Sequence, residues 1–284
     1  MKDVKLIECP RDAMQGIKTF IPTSDKIDYI NSLLKVGFDT IDVGSFVSPK
    51  AIPQMRDSGE VLDHIDLSQS DTKLSTIVAN TRGAYDAVKY PQVDYLGYPF
   101  SISETFQIRN TNATIEQSLL RIADIQSITI KNEKQLIIYV SMGFGNPYGD
   151  EWSVEIVEKW VNHLYAMGIR ILSLSDTIGV STPESISYLF SNLVPLFPDV
   201  EFGAHLHTTP DKWKEKVHAA YESGCRRFDG AIKGYGGCPM AKDDLTGNMP
   251  TEKMVDYFQS RKIDTGINLE WFQEAMIASQ SVFL

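Results

Sequence analysis

The chain has 284 residues, of which 43% are apolar and 23% are charged, a composition typical of globular proteins. Its formal net charge of −10 argues against nucleic acid and against an anionic membrane as the main partner. No apolar run approaches the ~20 residues that cross a membrane, and the first residues lack the apolar segment of a signal peptide. Three cysteines are too few for a disulfide framework, so we expect a cytoplasmic, reducing location.

Short apolar runs alternate along the chain with longer amphipathic segments. The runs are apolar enough to be buried on both faces, as parallel strands are. They predict strands over Val4–Cys9, Thr40–Gly44, Leu74–Val78, Val93–Tyr98, Leu136–Ser141, Ile169–Ser173, Val200–His205 and Arg227–Ile232. The segments between them have helical periodicity. They predict helices over Ser24–Val36, Ile115–Ser127, Val154–Met167, Glu184–Leu193, Asp211–Ser223, Thr251–Arg261 and Leu269–Val282.

Eight β-then-α units without a linker predict an α/β fold. We expect one (β/α)₈ TIM barrel with an additional C-terminal helix, forming a single catalytic domain over residues 1–284. The main rival is a doubly wound sheet, which would normally carry a glycine-rich phosphate turn after an early strand, and this sequence has none. In a TIM barrel the chemistry takes place where the C-terminal ends of the strands meet the following loops, so polar residues there are the candidates for function.

His205 and His207 lie two residues apart on the seventh predicted strand, so their side chains point to the same face. Two neutral imidazoles on one face can begin a divalent metal site, although strand histidines satisfied by hydrogen bonds would give the same pattern. Asp12 could supply a third ligand and the carbonyl oxygen of Asn248 a fourth, unless these residues have the commoner turn or cap roles. A mixed nitrogen and oxygen set with room for water predicts Mg²⁺ or Mn²⁺ rather than a closed zinc site.

Two further residues at these strand ends could act on a substrate. Arg11 precedes Asp12 and could hold a carboxylate or stabilise an enolate oxygen, or could simply form a surface ion pair. Cys238 lies in a glycine-rich loop that could close over a ligand, and its thiol could move a proton. Most free cysteines are buried apolar groups instead, and we expect this of Cys9 and Cys225.

Several short motifs follow one another along the chain in a distinctive order and at distinctive spacings. They are Pro10-Arg11-Asp12-Ala13-Met14-Gln15, Ser45-Phe46-Val47-Ser48-Pro49-Lys50, Pro53-Gln54-Met55, Ser173-Leu174-Ser175-Asp176-Thr177-Ile178-Gly179, His205-Leu206-His207, Gly236-Gly237-Cys238-Pro239, Thr246-Gly247-Asn248 and Thr265-Gly266-Ile267-Asn268-Leu269. Together they make the chain, from about residue 4 to 283, resemble the 3-hydroxy-3-methylglutaryl-CoA (HMG-CoA) lyases, which belong to the TIM-barrel metallolyases and Claisen-type synthases.

The resemblance implies metal-dependent cleavage of HMG-CoA to acetyl-CoA and acetoacetate, in leucine degradation or ketone-body metabolism. The positions that match the family's metal ligands are Asp12, His205, His207 and Asn248. The positions that match its catalytic and acidic residues are Arg11, Asp42, Asp176, His205, Cys238 and Glu252. A base, which we expect to be Asp42, Asp176 or His205, would take the hydroxyl proton, Arg11 would stabilise the enolate oxygen, and Cys238 would protonate the enolate carbon.

The CoA moiety has weaker candidates, because a polar residue in a loop is usually only solvated. The residues that we expect to contact this substrate are Gln15, Ser45, Lys50 and Asn80. Acyl-CoA is thus the predicted small-molecule partner, with no nucleic acid and no membrane. The sequence leaves the oligomeric state open, and a homodimer or a higher homo-oligomer is compatible with it.

The sequence departs from the family at several positions near the predicted site. Ala13 replaces a glycine, Thr208 replaces the aspartate that commonly follows the histidine pair, and Asp42 stands where lyases usually carry glutamate. Met142 and Asn146 stand at usual cysteine positions. The metal-binding set is intact. The departures keep open two alternatives, a Claisen-type enzyme that joins acetyl-CoA to a 2-oxo acid and a catalytically silent barrel that binds acyl-CoA.

Overall fold

The computed structural model of the chain describes residues 2–237 and 246–283, and within these ranges eight parallel strands form a barrel. The strands are β1 (Lys5–Glu8), β2 (Thr40–Ser45), β3 (Lys73–Ile77), β4 (Val93–Ser101), β5 (Gln135–Ser141), β6 (Ile171–Asp176), β7 (Glu201–Thr208) and β8 (Arg227–Gly230). Each strand pairs with the next along the chain, and β8 pairs in parallel with β1, which closes the barrel. The predicted TIM barrel is therefore confirmed.

Helices surround the barrel. They are α1 (Pro10–Gln15), α2 (Thr23–Leu34), α3 (Ser58–His64), α4 (Thr81–Ala87), α5 (Glu104–Thr111), α6 (Ile115–Lys131), α7 (Val154–Ala166), α8 (Pro183–Leu196), α9 (Trp213–Glu222), α10 (Thr251–Ser260) and α11 (Leu269–Phe283). All seven predicted helices are present, and α11 is the expected C-terminal addition. The sequence did not predict α1, α3, α4 and α5, because helices of six to eight residues are too short to show a clear period.

Capping residues account for where several helices begin. Thr114 and Gln117 form a capping box at α6, in which each side chain bonds the backbone N–H of the other residue. Thr182 caps α8 and Pro183 takes its first position. Within the part of the chain that the structure describes, no helix combines the length and the apolar character needed to cross a bilayer.

Four strands, β2, β4, β6 and β7, extend further than the apolar pattern predicted, and these extensions lie at the C-terminal end of the barrel. β6 continues to Asp176, which pairs with Leu206, and β7 continues to Thr208. Backbone pairing persists there although the side chains become polar. A two-residue strand, β9 (Gly247–Asn248), then pairs antiparallel with the end of β7, so that Asn248 lies opposite His207. The barrel therefore carries its polar residues on ordered strand ends.

Candidate active site

Three predicted metal ligands converge at the C-terminal end of the barrel. Asp12, in α1 directly after β1, comes together with His205 and His207 of β7, and one potential ligand atom of each lies within 4.8 Å of the other two. All three residues are buried or largely buried. Such a set of one carboxylate and two imidazoles could hold a divalent cation.

Both imidazoles are oriented through Nδ1. The Nδ1 of His207 lies 3.0 Å from the backbone oxygen of Thr177, and the Nδ1 of His205 lies 3.1 Å from Oδ2 of Asp229. A carbonyl oxygen can only accept, so Nδ1 of His207 carries the proton and Nε2 keeps its lone pair. That Nε2 is buried and has no hydrogen-bond partner among the described residues. A buried, unpartnered acceptor beside a carboxylate fits a bound cation.

Asp12 is surrounded by hydrogen-bond donors. Its Oδ1 accepts from Arg11 at 2.9 Å and from Gln15 at 2.7 Å, and its Oδ2 accepts from the Asn248 side-chain nitrogen at 2.9 Å. Burial alone would raise the pKa of Asp12, but Arg11 and the two histidines outweigh it and lower the pKa to about 2. The carboxyl group is therefore ionised, as a metal ligand must be.

Asn248 occupies the fourth predicted ligand position. Its side-chain nitrogen donates both to Asp12 and, at 2.8 Å, to the backbone oxygen of Tyr235. These two bonds use the amide hydrogens, so the carbonyl oxygen Oδ1 is the atom that remains for a cation.

Arg11 connects Asp12 to Asp42. Its Nε and Nη2 both bond Oδ2 of Asp42, at 2.9 and 2.6 Å, and its Nη1 bonds Asp12 and Gln15. Burial raises the pKa of Asp42 to about 6, although the neighbouring guanidinium acts in the opposite direction. Arg11 is only 7% exposed, so it is not the surface ion pair that the sequence alone allowed.

Two other acidic candidates are engaged elsewhere. Asp176 accepts from the backbone of Val180 and Ser181 and from Lys216 Nζ at 2.8 Å, which ties the loop after β6 to α9. Glu252, in the first turn of α10, accepts at 2.8 Å from the backbone N–H of Lys233. Glu252 thus contacts the beginning of the glycine-rich loop.

A cavity of about 380 Å³ opens beside the candidate cation-binding cluster of Asp12, His205 and His207. Its inner end is lined by Arg11, Asp12, His205 and His207, together with Gln15, Tyr139 and Ser141. Its wall includes the apolar side chains of Val47, Ala51, Ile52, Ile77 and Phe106, and Arg109, Asn110 and Thr111 at the end of α5 also line it. The guanidinium of Arg109 stacks on the ring of Tyr148, 4.7 Å from its centroid. The cavity therefore combines a polar inner end, an apolar wall and a cationic side chain.

The other residues predicted to contact CoA lie beside this cavity or within neighbouring loops. Ser45 is buried, and its hydroxyl oxygen accepts from the backbone N–H of Val47. Asn80 caps α4, since its Oδ1 accepts from the N–H of Gly83. Lys50 is exposed and precedes Ala51, which lines the cavity. Their predicted contacts with a ligand remain predictions.

The glycine-rich loop begins directly against α1. Gly236 has a φ of +79°, and a Cβ there would lie 2.6 Å from Cα of Ala13 and 2.9 Å from the backbone oxygen of Asp12. The loop and α1 are thus in close contact, and Gly236 cannot carry a side chain. Gly237 lines the cavity. Cys238, the predicted proton donor, lies outside the described residues.

The departures from the family pattern have local partners. Asn146 organises the loop after β5, where its Oδ1 accepts from the backbone N–H groups of Tyr148 and Asp150. Met142 has a positive φ of 57° and donates its N–H to the hydroxyl of Thr177. Cys9 and Cys225 are buried, as the sequence predicted.

Two parts of the site, Asp229 and the end of α5, were not predicted from the sequence. Asp229 lay in a run interpreted only as an apolar strand. The sequence Arg-Phe-Asp-Gly places Arg227 and Asp229 two residues apart, and residues i and i+2 of a strand share a face. This spacing could have predicted a charged face on the eighth strand. Arg109 had no comparable signal, because its position on the cavity depends on how α5 packs.

Comparison with known proteins gives concordant matches. The family model described as HMGL-like matches residues 4–278. The cytoplasmic 3-hydroxy-3-methylglutaryl-CoA lyase of Rattus norvegicus is 32% identical, over 96% of this chain and 79% of the relative. The mitochondrial hydroxymethylglutaryl-CoA lyase of Mus musculus is 34% identical, over 96% and 84%. The structure of an HMG-CoA lyase from Acinetobacter baumannii, in complex with coenzyme A and 3-methylmalate, superposes with a TM-score of 0.90 at 33% identity, covering 98% of this chain and 90% of that one.

Proposed function

This chain belongs to the HMGL-like family of carbon–carbon lyases, and we propose that it cleaves HMG-CoA to acetyl-CoA and acetoacetate. The observation that carries the proposal is the meeting of Asp12, His205 and His207 at one end of a cavity that Arg11 also lines. A divalent cation and an arginine at one point suit a substrate that carries both a hydroxyl and a carboxylate and passes through an enolate.

Asp12, His205, His207 and the carbonyl oxygen of Asn248 are the residues that would hold the cation. Their mixed oxygen and nitrogen donors favour Mg²⁺ or Mn²⁺. The chemistry that such a cation supplies when bound is Lewis-acid polarisation of hydroxyl and carboxylate oxygens, which lowers the pKa of the hydroxyl.

Of the predicted bases, His205 lines the cavity but would have Nε2 on the cation and its Nδ1 proton on Asp229, and Asp42 and Asp176 are not among the described residues that line the cavity. The 3-hydroxyl proton would therefore pass to water in the cavity. Loss of that proton lets the bond between C2 and C3 break, so that C3 becomes the ketone of acetoacetate and the electron pair enters the enolate of acetyl-CoA. Arg11 donates to the enolate oxygen, held in position by Asp42.

Protonation of the enolate carbon completes the reaction, and we assign it to Cys238. The support for this role is that the preceding residue, Gly237, lines the cavity. Glu252 would act by holding the backbone of Lys233, at the beginning of the same loop. Asp176 would act similarly on β7, because its partner Lys216 also donates to the backbone oxygen of His207 at 2.8 Å.

The acyl-CoA would extend from the cation-binding cluster along the apolar wall. We assign Val47, Ile52 and Phe106 to the pantetheine chain, and Arg109 to a phosphate of the nucleotide. A guanidinium suits a phosphate because it can donate two parallel hydrogen bonds. The coenzyme A in the complex of the Acinetobacter relative supports an acyl-CoA ligand here.

Several broader assignments remain proposals of the same kind. We propose a single catalytic domain over residues 1–284, a cytoplasmic location, and assembly as a homodimer or a higher homo-oligomer. The relatives named above include a cytoplasmic and a mitochondrial protein, so relatedness alone leaves the compartment open.

Turnover with identified products tests the function. The full chain, supplied with Mg²⁺ or Mn²⁺, is incubated with HMG-CoA, and the products are identified by mass. Acetyl-CoA and acetoacetate in equal amounts are expected. Release of free CoA from acetyl-CoA plus a 2-oxo acid would indicate the Claisen-type alternative, and no turnover across a panel of acyl-CoA compounds would indicate the silent barrel.

A further inference from the structure

Asp229 is a buried carboxylate on β8 that has no role in the cleavage described above. Its side chain is 1% exposed, and its Oδ2 lies 3.1 Å from Nδ1 of His205. The same oxygen accepts from the hydroxyl of Ser173 at 3.3 Å. Asp229 is therefore held between β6 and β7, directly behind one of the cation-binding imidazoles.

This contact decides which nitrogen of His205 is available. An ionised carboxylate only accepts hydrogen bonds, so it keeps the proton on Nδ1 and leaves the lone pair on Nε2. It also fixes the plane of the ring. Carboxylates that orient metal-binding histidines in this way raise the basicity of the ligand atom, and their removal typically costs about 10–100-fold in metal affinity.

Arg227 is a buried neighbour of Asp229 but forms no hydrogen bond with it. It lies two residues before Asp229, on the same face of β8, and its Nε and Nη2, like Oδ1 of Asp229, have no hydrogen-bond partner among the described residues. Arg227 is 1% exposed and bonds Glu201 at 3.0 Å. A Cβ at position 203 of β7 would lie 3.2 Å from Cδ of Arg227, so the glycine there leaves room for the arginine side chain.

The other candidate for such support is engaged elsewhere. Thr208 stands where the family commonly has the aspartate after the histidine pair, and its hydroxyl donates to the backbone oxygen of Thr209 at 2.9 Å. The carboxylate beside the histidine pair therefore comes from β8 rather than from the end of β7.

We infer that Asp229 is a positioning residue that presents Nε2 of His205 to the divalent cation. The inference rests on the proposed function, because the cation is what His205 would bind. The affinity for the cation would then depend on Asp229 of β8 as well as on the histidines of β7.

The test measures Mn²⁺ binding by the full chain in the absence of acyl-CoA, with free Mn²⁺ followed by electron paramagnetic resonance. Asp229→Ala removes the acceptor and should weaken Mn²⁺ binding by about 10–100-fold. Asp229→Asn keeps an acceptor without the charge and should lose less. The matched control is Asp57→Asn, which removes another buried carboxylate, paired with Lys26 at 2.7 Å, and should leave Mn²⁺ affinity unchanged.

A second readout uses the unmodified protein and so does not depend on how a variant folds. Nitrogen-15 NMR of the imidazoles should find the His205 proton on Nδ1 before Mn²⁺ is added. A proton on Nε2, or equal Mn²⁺ affinity in wild type and folded Asp229→Ala, would overturn the inference while leaving the lyase proposal intact. Absence of Mn²⁺ binding by the wild type would remove both the inference and the metal site of the proposed function.

Discussion

Arg11 and Asp42 form a buried ion pair in which two guanidinium nitrogens share one carboxylate oxygen. Nε and Nη2 of Arg11 lie 2.9 and 2.6 Å from Oδ2 of Asp42, whereas Oδ1 of Asp42 has no hydrogen-bond partner among the described residues. The pair fixes the guanidinium plane, and the third nitrogen, Nη1, is directed to Asp12. The orientation of Arg11 toward the cavity therefore depends on a residue that the substrate does not need to touch.

Replacement of Asp42 should consequently lower kcat more than it changes KM. Asp42→Asn keeps the shape but weakens the hold on Arg11, and we expect kcat to fall by about 10²-fold, the typical cost of losing one oxyanion donor. Steady-state kinetics with HMG-CoA measures the effect. Arg11→Lys, which keeps the charge but not the planar set of donors, should show a similar loss. Wild-type kcat in Asp42→Asn would contradict the positioning role.

Removal of the cation should abolish turnover and lower thermal stability. Binding to the native state alone adds about 2.7 kcal/mol of stability when the free ligand concentration is 100 times its Kd. EDTA should therefore lower the Tm and stop the reaction, and Mg²⁺ or Mn²⁺ should restore both. Calorimetry and the product assay provide the two measurements. Unchanged activity after exhaustive chelation would contradict a metal-dependent mechanism.

Substitution of His207 tests the divalent-cation site directly. His207→Ala removes the buried Nε2 that has no partner among the described residues, so it should weaken Mn²⁺ binding at least tenfold, or about 1.4 kcal/mol. His218→Ala is the matched control, because its imidazole lies on α9 and faces the hydroxyl of Tyr257 at 2.9 Å. Equal Mn²⁺ affinities in the two variants would remove His207 from the ligand set.

Arg109 should contribute to substrate binding rather than to the chemical step. If it contacts a phosphate of CoA, Arg109→Ala removes an interaction that is present equally in the ground state and the transition state. KM for HMG-CoA should then rise about tenfold with kcat nearly unchanged. Arg82→Ala is the control, since its side chain is 75% exposed and pairs only loosely with Asp86.

A truncated substrate tests which part of the acyl-CoA Arg109 contacts. The pantetheine thioester of 3-hydroxy-3-methylglutarate lacks the nucleotide phosphates, so wild type and Arg109→Ala should cleave it with equal kcat/KM. A tenfold difference that persists with this substrate would show that Arg109 acts on the acyl or pantetheine part instead.

Glu8 should make stability depend on pH. Burial raises its pKa to about 8 from an ordinary value of 4.5, although it accepts hydrogen bonds from Ile232 N–H and the Thr251 hydroxyl. Between these pH values the carboxyl group of Glu8 is ionised in the unfolded chain but stays protonated in the folded chain. The stability contributed by Glu8 is therefore complete below about pH 4.5 and is lost as the pH rises to about 8, at ~1.4 kcal/mol for each pKa unit.

Denaturant unfolding between pH 5 and 8 tests this expectation. Glu8→Gln imitates the protonated side chain, so its free energy of unfolding should decline less with pH than that of the wild type. Glu158→Gln, at an exposed position of α7, should follow the wild type. Parallel curves for wild type and Glu8→Gln would mean that Glu8 is ionised in the folded protein at neutral pH.

The alternation of apolar runs and amphipathic segments was sufficient to predict the barrel. Strands buried on both faces and helices that follow each of them leave few arrangements that cover all the apolar surface. The spacing of His205 and His207, together with the position of Asp12 after β1, was enough to predict a cation-binding cluster. These are properties of local sequence, because they depend on side-chain period and on which end of a strand a residue follows.

The tertiary structure decided which polar residues meet. Asp229 contacts His205 because β8 closes the barrel beside β7, and Arg109 lines the cavity because α5 packs over the end of β4. Asp176 and Glu252 carry the same functional group as Asp42 but bind Lys216 and the backbone of Lys233. No periodicity encodes such pairings, because each depends on the distance between atoms that are remote in sequence and on which partner satisfies a buried charge first.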